Sequence, residues 1–89
     1  MLPDVDEDSP TARRLMQEHG PLLPAAATAK LLGFNSTDAL RQARIRQRLP
    51  VPMFAVEGRR GWFASTMAVA TWIEKTLNSS AYKAPHRHG

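Results

Sequence analysis

Ser36-Thr37-Asp38-Ala39-Leu40-Arg41-Gln42-Ala43-Arg44-Ile45-Arg46-Gln47-Arg48, followed by Leu49-Pro50, is the stretch that decides how this chain folds. The pattern predicts one helix over 37–48. Ser36 suits the N-cap, because its hydroxyl accepts from the free N–H groups of the first turn. Asp38 puts a carboxylate near the positive end of the helix dipole. Pro50 ends the helix and pushes Leu49 toward an extended backbone. At about 100° per residue, Leu40, Ala43 and the stem of Arg44 share a narrow face with Gln47. Asp38, Arg41, Gln42, Ile45 and Arg46 point the other way. The inner side is thin, and the outer side carries long donors. Four arginines stand against a single acid here, so the helix is expected to dock on something polyanionic.

Upstream, Leu22-Leu23-Pro24 leads into Ala25-Ala26-Ala27-Thr28-Ala29-Lys30-Leu31-Leu32-Gly33. The alanines and leucines favour helix, and Gly33 is placed for a left-handed C-terminal cap. Two helices joined by Gly33-Phe34-Asn35-Ser36 have the spacing of a helix-turn-helix, which they share with ordinary αα-corners. Downstream, Val51-Pro52-Met53-Phe54-Ala55-Val56 and Trp62-Phe63-Ala64 flank the polar turn Glu57-Gly58-Arg59-Arg60-Gly61, the pattern of a β-hairpin. Its tip offers Arg59 and Arg60 between two glycines, which suits a wing reaching a phosphate or a minor groove. The plainer alternative is a charged turn that keeps a sheet edge soluble.

The flanks complete one small domain. Residues 1–8 are acidic and aperiodic and are expected to be disordered. Ser9-Pro10 opens a short helix that ends at Gly20-Pro21, with Ala12, Leu15, Met16 and His19 on one face. That helix either packs on the core or forms a dimer contact, with Arg13 and Arg14 as solvated charges. Ser65 caps a last helix through about Leu77, striped by Val69, Trp72, Ile73 and Leu77 with Ala70 beside them. Trp62 and Trp72 are both expected in the core. The tail, 78–89, is expected to be flexible and basic, with Lys83, His86, Arg87 and His88.

Composition narrows the function. The net charge is +4, but four of the eight acids lie in the first ten residues, and the rest of the chain carries twelve basic against four acidic residues. Nine of those twelve are arginines, and six of them fall between Arg41 and Arg60, where Glu57 is the single acid. Arginine is suited to bidentate contact with phosphates and guanine edges. With 89 residues and no cysteine, the chain has neither a disulfide framework nor a thiolate metal site, which suits a reducing cytoplasm. No apolar run is long enough to span a bilayer. His86-x-His88 lacks partner ligands for a metal, and no nucleophile stands beside a base in a recognisable motif. No catalytic residue, cofactor, metal or small-molecule ligand is therefore expected.

The ordered combination of features resembles a known family. An alanine-rich helix ends Leu31-Leu32-Gly33, and Ser36-Thr37 opens an arginine-bearing helix. Next come Arg48-Leu49-Pro50-x-Pro52, a Gly-Arg-Arg-Gly-Trp hairpin at Gly58 to Trp62, and Ser65 ahead of Val69-x-x-Trp72-Ile73. From Leu22 to Leu77 this is similar to the small winged helix-turn-helix proteins of the excisionase and MerR-like superfamily. That group includes phage excisionases, AlpA-type activators and small plasmid-encoded repressors. The resemblance implies a mainly α fold with a small β-hairpin, a winged helix-turn-helix, in a bacterial cytoplasm. The domain is expected over residues 9–77, where the extra N-terminal helix and acidic leader depart from the family and suggest an added interaction or dimerisation surface. It implies that helix 37–48 enters a major groove and that the hairpin at 57–61 touches a minor groove or phosphates. Arg41, Gln42 and Arg46 are then expected on base edges, with Ser36, Thr37, Arg44, Arg48, Arg59 and Arg60 on phosphates or the minor groove. Ile45 departs from the family, which more often has a polar or basic residue there. The expected function is a transcription regulator, a repressor bound to double-stranded DNA as a homodimer on an inverted repeat. A recombination directionality factor and a protein-interaction module without DNA binding are the alternatives.

Overall fold

Three of the four helices open where a serine hydroxyl caps the first turn. A computed structural model describes residues 9–78; the acidic leader at 1–8 and the tail from 79 on, with its histidines, lie outside the described residues. Ser9 Oγ accepts from the Ala12 N–H at 2.9 Å and starts α1, Pro10–His19, with Pro10 in the first turn. Ser36 Oγ accepts from the Ala39 N–H at 3.0 Å and starts α3, Thr37–Ile45. Ser65 Oγ accepts from the Ala68 N–H at 3.1 Å and starts α4, Thr66–Asn78. Helix α2, Ala25–Leu32, follows Pro24 and has no side-chain cap. There the Thr28 hydroxyl turns back on the helix and donates to the Pro24 carbonyl at 2.9 Å.

The strands are β1, Leu22–Pro24, β2, Met53–Ala55, and β3, Trp62–Ser65. They form one antiparallel sheet in the order β1-β3-β2. The hairpin β2–β3 is the one expected, with its first strand shorter at both ends: Val51 is buried but precedes it, and Val56 follows it. Strand β1 was not expected. Its three residues pair with β3 as Leu22↔Ser65, Leu23↔Ala64 and Pro24↔Phe63, while β2 pairs as Met53↔Ala64, Phe54↔Phe63 and Ala55↔Trp62.

Because side chains alternate across a strand, the registers define two faces. Leu23, Ala64 and Met53 form the inner row, and Leu23 and Ala64 join Val51 and Val69 in the main core. Pro24, Phe63 and Phe54 form the outer row. A second cluster, Ala12, Leu15 and Ala70, joins α1 to α4, with Leu31, Met67 and Ile73 around it. The N-terminal helix thus packs on the core. Met16 and His19, expected on its apolar face, are exposed. The Thr66 hydroxyl donates to the Gly20 carbonyl at 2.6 Å and the Thr66 N–H to the Pro21 carbonyl at 3.0 Å, tying the end of α1 to the start of α4.

Two helix ends differ from expectation. The arginine-bearing helix stops at Ile45, not at Arg48. Gln47 adopts a left-handed backbone with φ of 58°, the Arg48 N–H donates to the Ala43 carbonyl at 2.8 Å, and the Gln47 N–H donates to the Arg44 carbonyl at 3.0 Å. That pair of bonds is a Schellman closure, and it ends the helix before Pro50 is reached. On α4, the last member of the expected apolar stripe, Leu77, is 47% exposed, because the helix outruns the core there.

Candidate nucleic-acid interface

Helix α3 is fixed to the domain by a narrow inner side. Leu40 is its one buried residue, with Ala43 and Arg44 half-buried beside it. Thr37, Arg41 and Ile45, spaced four apart, form a row beside the hairpin, with Asp38 alongside; all four are exposed. At four-residue spacing these side chains line up on one face. Gln42 belongs less to this arc than expected, since it is half-buried. Ile45 belongs to it more, being 57% exposed and flanked by Arg41 one turn earlier.

The hairpin stands next to this helix. A cleft of about 270 Å³ separates α3 from the hairpin base, with Thr37, Leu40, Arg41 and Arg44 on one wall and Met53, Gly61 and Trp62 on the other. Across it the Arg44 guanidinium lies 4.0 Å from the Trp62 ring centroid. Trp62, expected in the core, is 39% exposed and forms the platform of this stack. It is the first residue of β3 and lines the cleft with Leu40 and Met53. A stacked guanidinium keeps its in-plane N–H groups free to donate, so Arg44 remains able to hold a phosphate.

The hairpin tip is built as expected and aimed differently. The Arg59 N–H donates to the Val56 carbonyl at 3.0 Å, closing a turn whose third residue, Gly58, has φ of 82°. A turn with φ above zero at that position favours glycine. A Cβ there would meet nothing within 4 Å, so backbone conformation alone requires the glycine. Arg59 folds back, with its guanidinium 4.9 Å from the Phe63 ring centroid. Phe63 and Trp62 are adjacent in β3 and face opposite sides of the sheet. The two arginine–aromatic stacks therefore occupy opposite faces: Arg59 lies over Phe63 on the outer face, and Arg44 reaches from α3 to Trp62 on the other. Arg60 stays exposed at the tip.

The chain matches no protein-family model, no curated protein and no solved structure.

The remaining expected residues divide plainly. Ser36 and Thr37 are exposed at the start of α3, and the Ser36 hydroxyl keeps its proton for donation after capping Ala39. Arg46 is the C-terminal cap of α3, and Arg48 lies beyond the left-handed turn; both are exposed. Among the described residues no carboxylate pairs with Arg41, Arg44, Arg46, Arg48, Arg59 or Arg60. The same residues hold no group of three or more His, Asp or Glu side chains fit for a metal, and no helix long and apolar enough to cross a membrane. Ile45 is exposed on the same face of α3 as Arg41 and was not among the residues expected to make contacts. Its signal was in the sequence, as an apolar side chain on the outward side of a cationic helix.

Proposed function

We propose that the chain is a sequence-specific double-stranded DNA-binding regulator of transcription, a repressor acting as a homodimer on an inverted repeat. Its four helices and three-stranded antiparallel sheet are compatible with a winged helix. In this reading α2 and α3 form the helix-turn-helix, α3 enters the major groove, and the β2–β3 hairpin is the wing. The observation that carries it is the set of exposed arginines on α3, just past its end and at the hairpin tip, none of them balanced by an acid among the described residues. Unpaired arginines this dense repel one another, and a phosphate backbone relieves that repulsion while releasing counterions. The helix presents Thr37, Asp38, Arg41 and Ile45 as one exposed face to such a partner.

The roles follow from position. Arg41 lies on the outward arc of α3 and reads base edges, with Arg46 at the helix end and Gln42 at the arc's margin. Ser36, Thr37, Arg44 and Arg48 hold phosphates around the helix, and Arg60 does so from the wing. Arg59 joins them by leaving Phe63, a stack worth about 0.5–1 kcal/mol at an exposed site. A single module of this size gives a modest interface. Two copies on half-sites a helical turn or a multiple apart supply the rest.

Selection of bound duplexes from a random pool tests this directly. One motif with inverted symmetry is the expected result. Binding that does not distinguish selected from scrambled duplexes overturns the proposal, and direct repeats overturn the inverted-repeat repressor. On the selected duplex, Arg41→Ala is expected to cost about 1–3 kcal/mol and to relax preference at one base pair. Arg60→Ala is expected to leave base preference intact and to reduce the salt slope of log K by about one.

A further inference from the structure

Ile45 is 57% exposed, more than any other large apolar side chain among the described residues. A single exposed isoleucine is ordinary on a protein surface. This one differs in its surroundings. It is the last helical residue of α3 and completes the exposed row Thr37, Arg41, Ile45, whose first two members border the cleft to the hairpin. That row also carries Arg41, the best-placed candidate for base contact. Helix ends elsewhere in the domain place their exposed apolar groups differently. Leu77 on α4, for example, borders a groove lined by Leu15, Leu31 and Ile73 of the α1–α4 core. Ile45 instead stands clear of the core on a helix whose inner side is already supplied by Leu40, Ala43 and the Arg44 stem.

A major groove offers one apolar feature, the C5-methyl of thymine, and apolar side chains are what recognise it. We infer that Ile45 reads a thymine methyl, and so determines specificity at one base pair of each half-site. This rests on α3 lying in a major groove, as proposed above. Arg41, one turn earlier on the same row, reaches a base edge next to it. The pairing gives α3 a mixed code, with a hydrogen-bonded position and an apolar position side by side. The apolar position needs no partner atom to be polar, which explains how a hydrocarbon side chain is accommodated on a cationic helix.

The test uses the full chain and the motif selected from a random duplex pool. Each thymine of the motif is replaced in turn by deoxyuridine, which removes the methyl and leaves the Watson–Crick and groove hydrogen bonds in place. Burying one methyl contributes about 0.8 kcal/mol, which is about a fourfold change in affinity. The wild-type chain is expected to lose about fourfold at one thymine per half-site. Ile45→Ala is expected to bind the thymine and uracil duplexes equally, and Ile45→Val to keep part of the difference. Thermal melting should barely move for either variant, because the side chain is largely in solvent.

If deoxyuridine costs nothing at every thymine, or if Ile45→Ala keeps the full loss, the inference is overturned while the DNA reading stands. If Ile45→Ala turns a dimer into a monomer by sedimentation and leaves thymine discrimination intact, the residue is a contact with a second copy and the inference is overturned. A pool that yields no motif removes the DNA reading itself.

Discussion

The α1–α4 side of the domain and the α3 side are held by different means. On the first, Ala12 and Ala70 are fully buried with Leu15, so two helices meet through small side chains and approach closely. Hydroxyl bonds from Thr11 to Glu74 and from Thr66 to Gly20 add polar ties at both ends. On the second, α3 has one buried leucine, a left-handed glutamine at its end and one arginine stacked on a tryptophan. The first side resembles a core. The second resembles a limb, fastened along one side and open along the row Thr37, Arg41 and Ile45. A helix that must fit a groove cannot also bury its circumference, so economy of attachment is what exposes the arginines.

The largest effect expected follows from Leu40. Leu40→Ala should cost about 2.7–5 kcal/mol, a large share of the total stability of a small domain, typically about 5–15 kcal/mol. Leu15→Ala should cost a similar amount in denaturant midpoint. The two should differ in where protection is lost. Hydrogen exchange should accelerate first in α3 for Leu40→Ala and first in α1 for Leu15→Ala, since weakly tethered elements open locally. Equal loss across the whole domain in both variants would erase the distinction between core and limb.

The ends of α2 and α3 sharpen it further, because the same closure is made with different residues. At Gly33, with φ of 89°, the Phe34 N–H reaches the Ala29 carbonyl at 2.8 Å and the Gly33 N–H reaches the Lys30 carbonyl at 3.2 Å. The end of α3 repeats that pattern with Gln47 where α2 has glycine. A side chain in the left-handed region costs about 1–2 kcal/mol relative to glycine. Gln47→Gly should therefore stabilise the domain, by about 0.5–1 kcal/mol after the added freedom of the unfolded chain is set against it. An upward shift in the thermal midpoint with unchanged helix content checks this. A fall in midpoint would mean that the Gln47 side chain makes a contact of its own.

These residues also show what the sequence could reveal. Ser9, Ser36, Ser65 and Gly33 act on their own neighbours, through a hydroxyl one turn away or a missing Cβ, so their roles are local and readable. The hairpin was readable for the same reason, from two apolar runs around Gly58. Strand β1 was not, because Leu22–Pro24 become a strand only by pairing with β3, far along the chain. The end of α3 at Ile45 was hidden because glutamine gives no hint of a left-handed backbone and Pro50 offered a plausible stop. Within the candidate site, Arg41 and Ile45 followed from helical spacing. The fold-back of Arg59 onto Phe63 and the exposure of Trp62 did not, since both depend on where β3 leaves the core.

The smallest effect expected is the most specific to the limb, and it concerns the clasp between Arg44 and Trp62. Both partners are partly exposed, so the stack should contribute only about 0.5–1 kcal/mol. Single replacements would mix that with lost packing of the arginine stem and the indole ring. A double-mutant cycle separates them, with Arg44→Met preserving stem length and Trp62→Leu preserving apolar contact. The coupling should be favourable and close to the value above, and it should persist at high salt better than a surface ion pair would. Its direction also matters for the proposed function. If the clasp fixes the angle between α3 and the wing, Trp62→Leu should weaken binding to the selected duplex although Trp62 itself is assigned no contact with DNA. The loss should be largely absent in a chain that already carries Arg44→Met. If the two losses simply add, α3 and the hairpin are positioned independently, and Leu40 with the closure at Gln47 must set the helix's orientation without help from the wing.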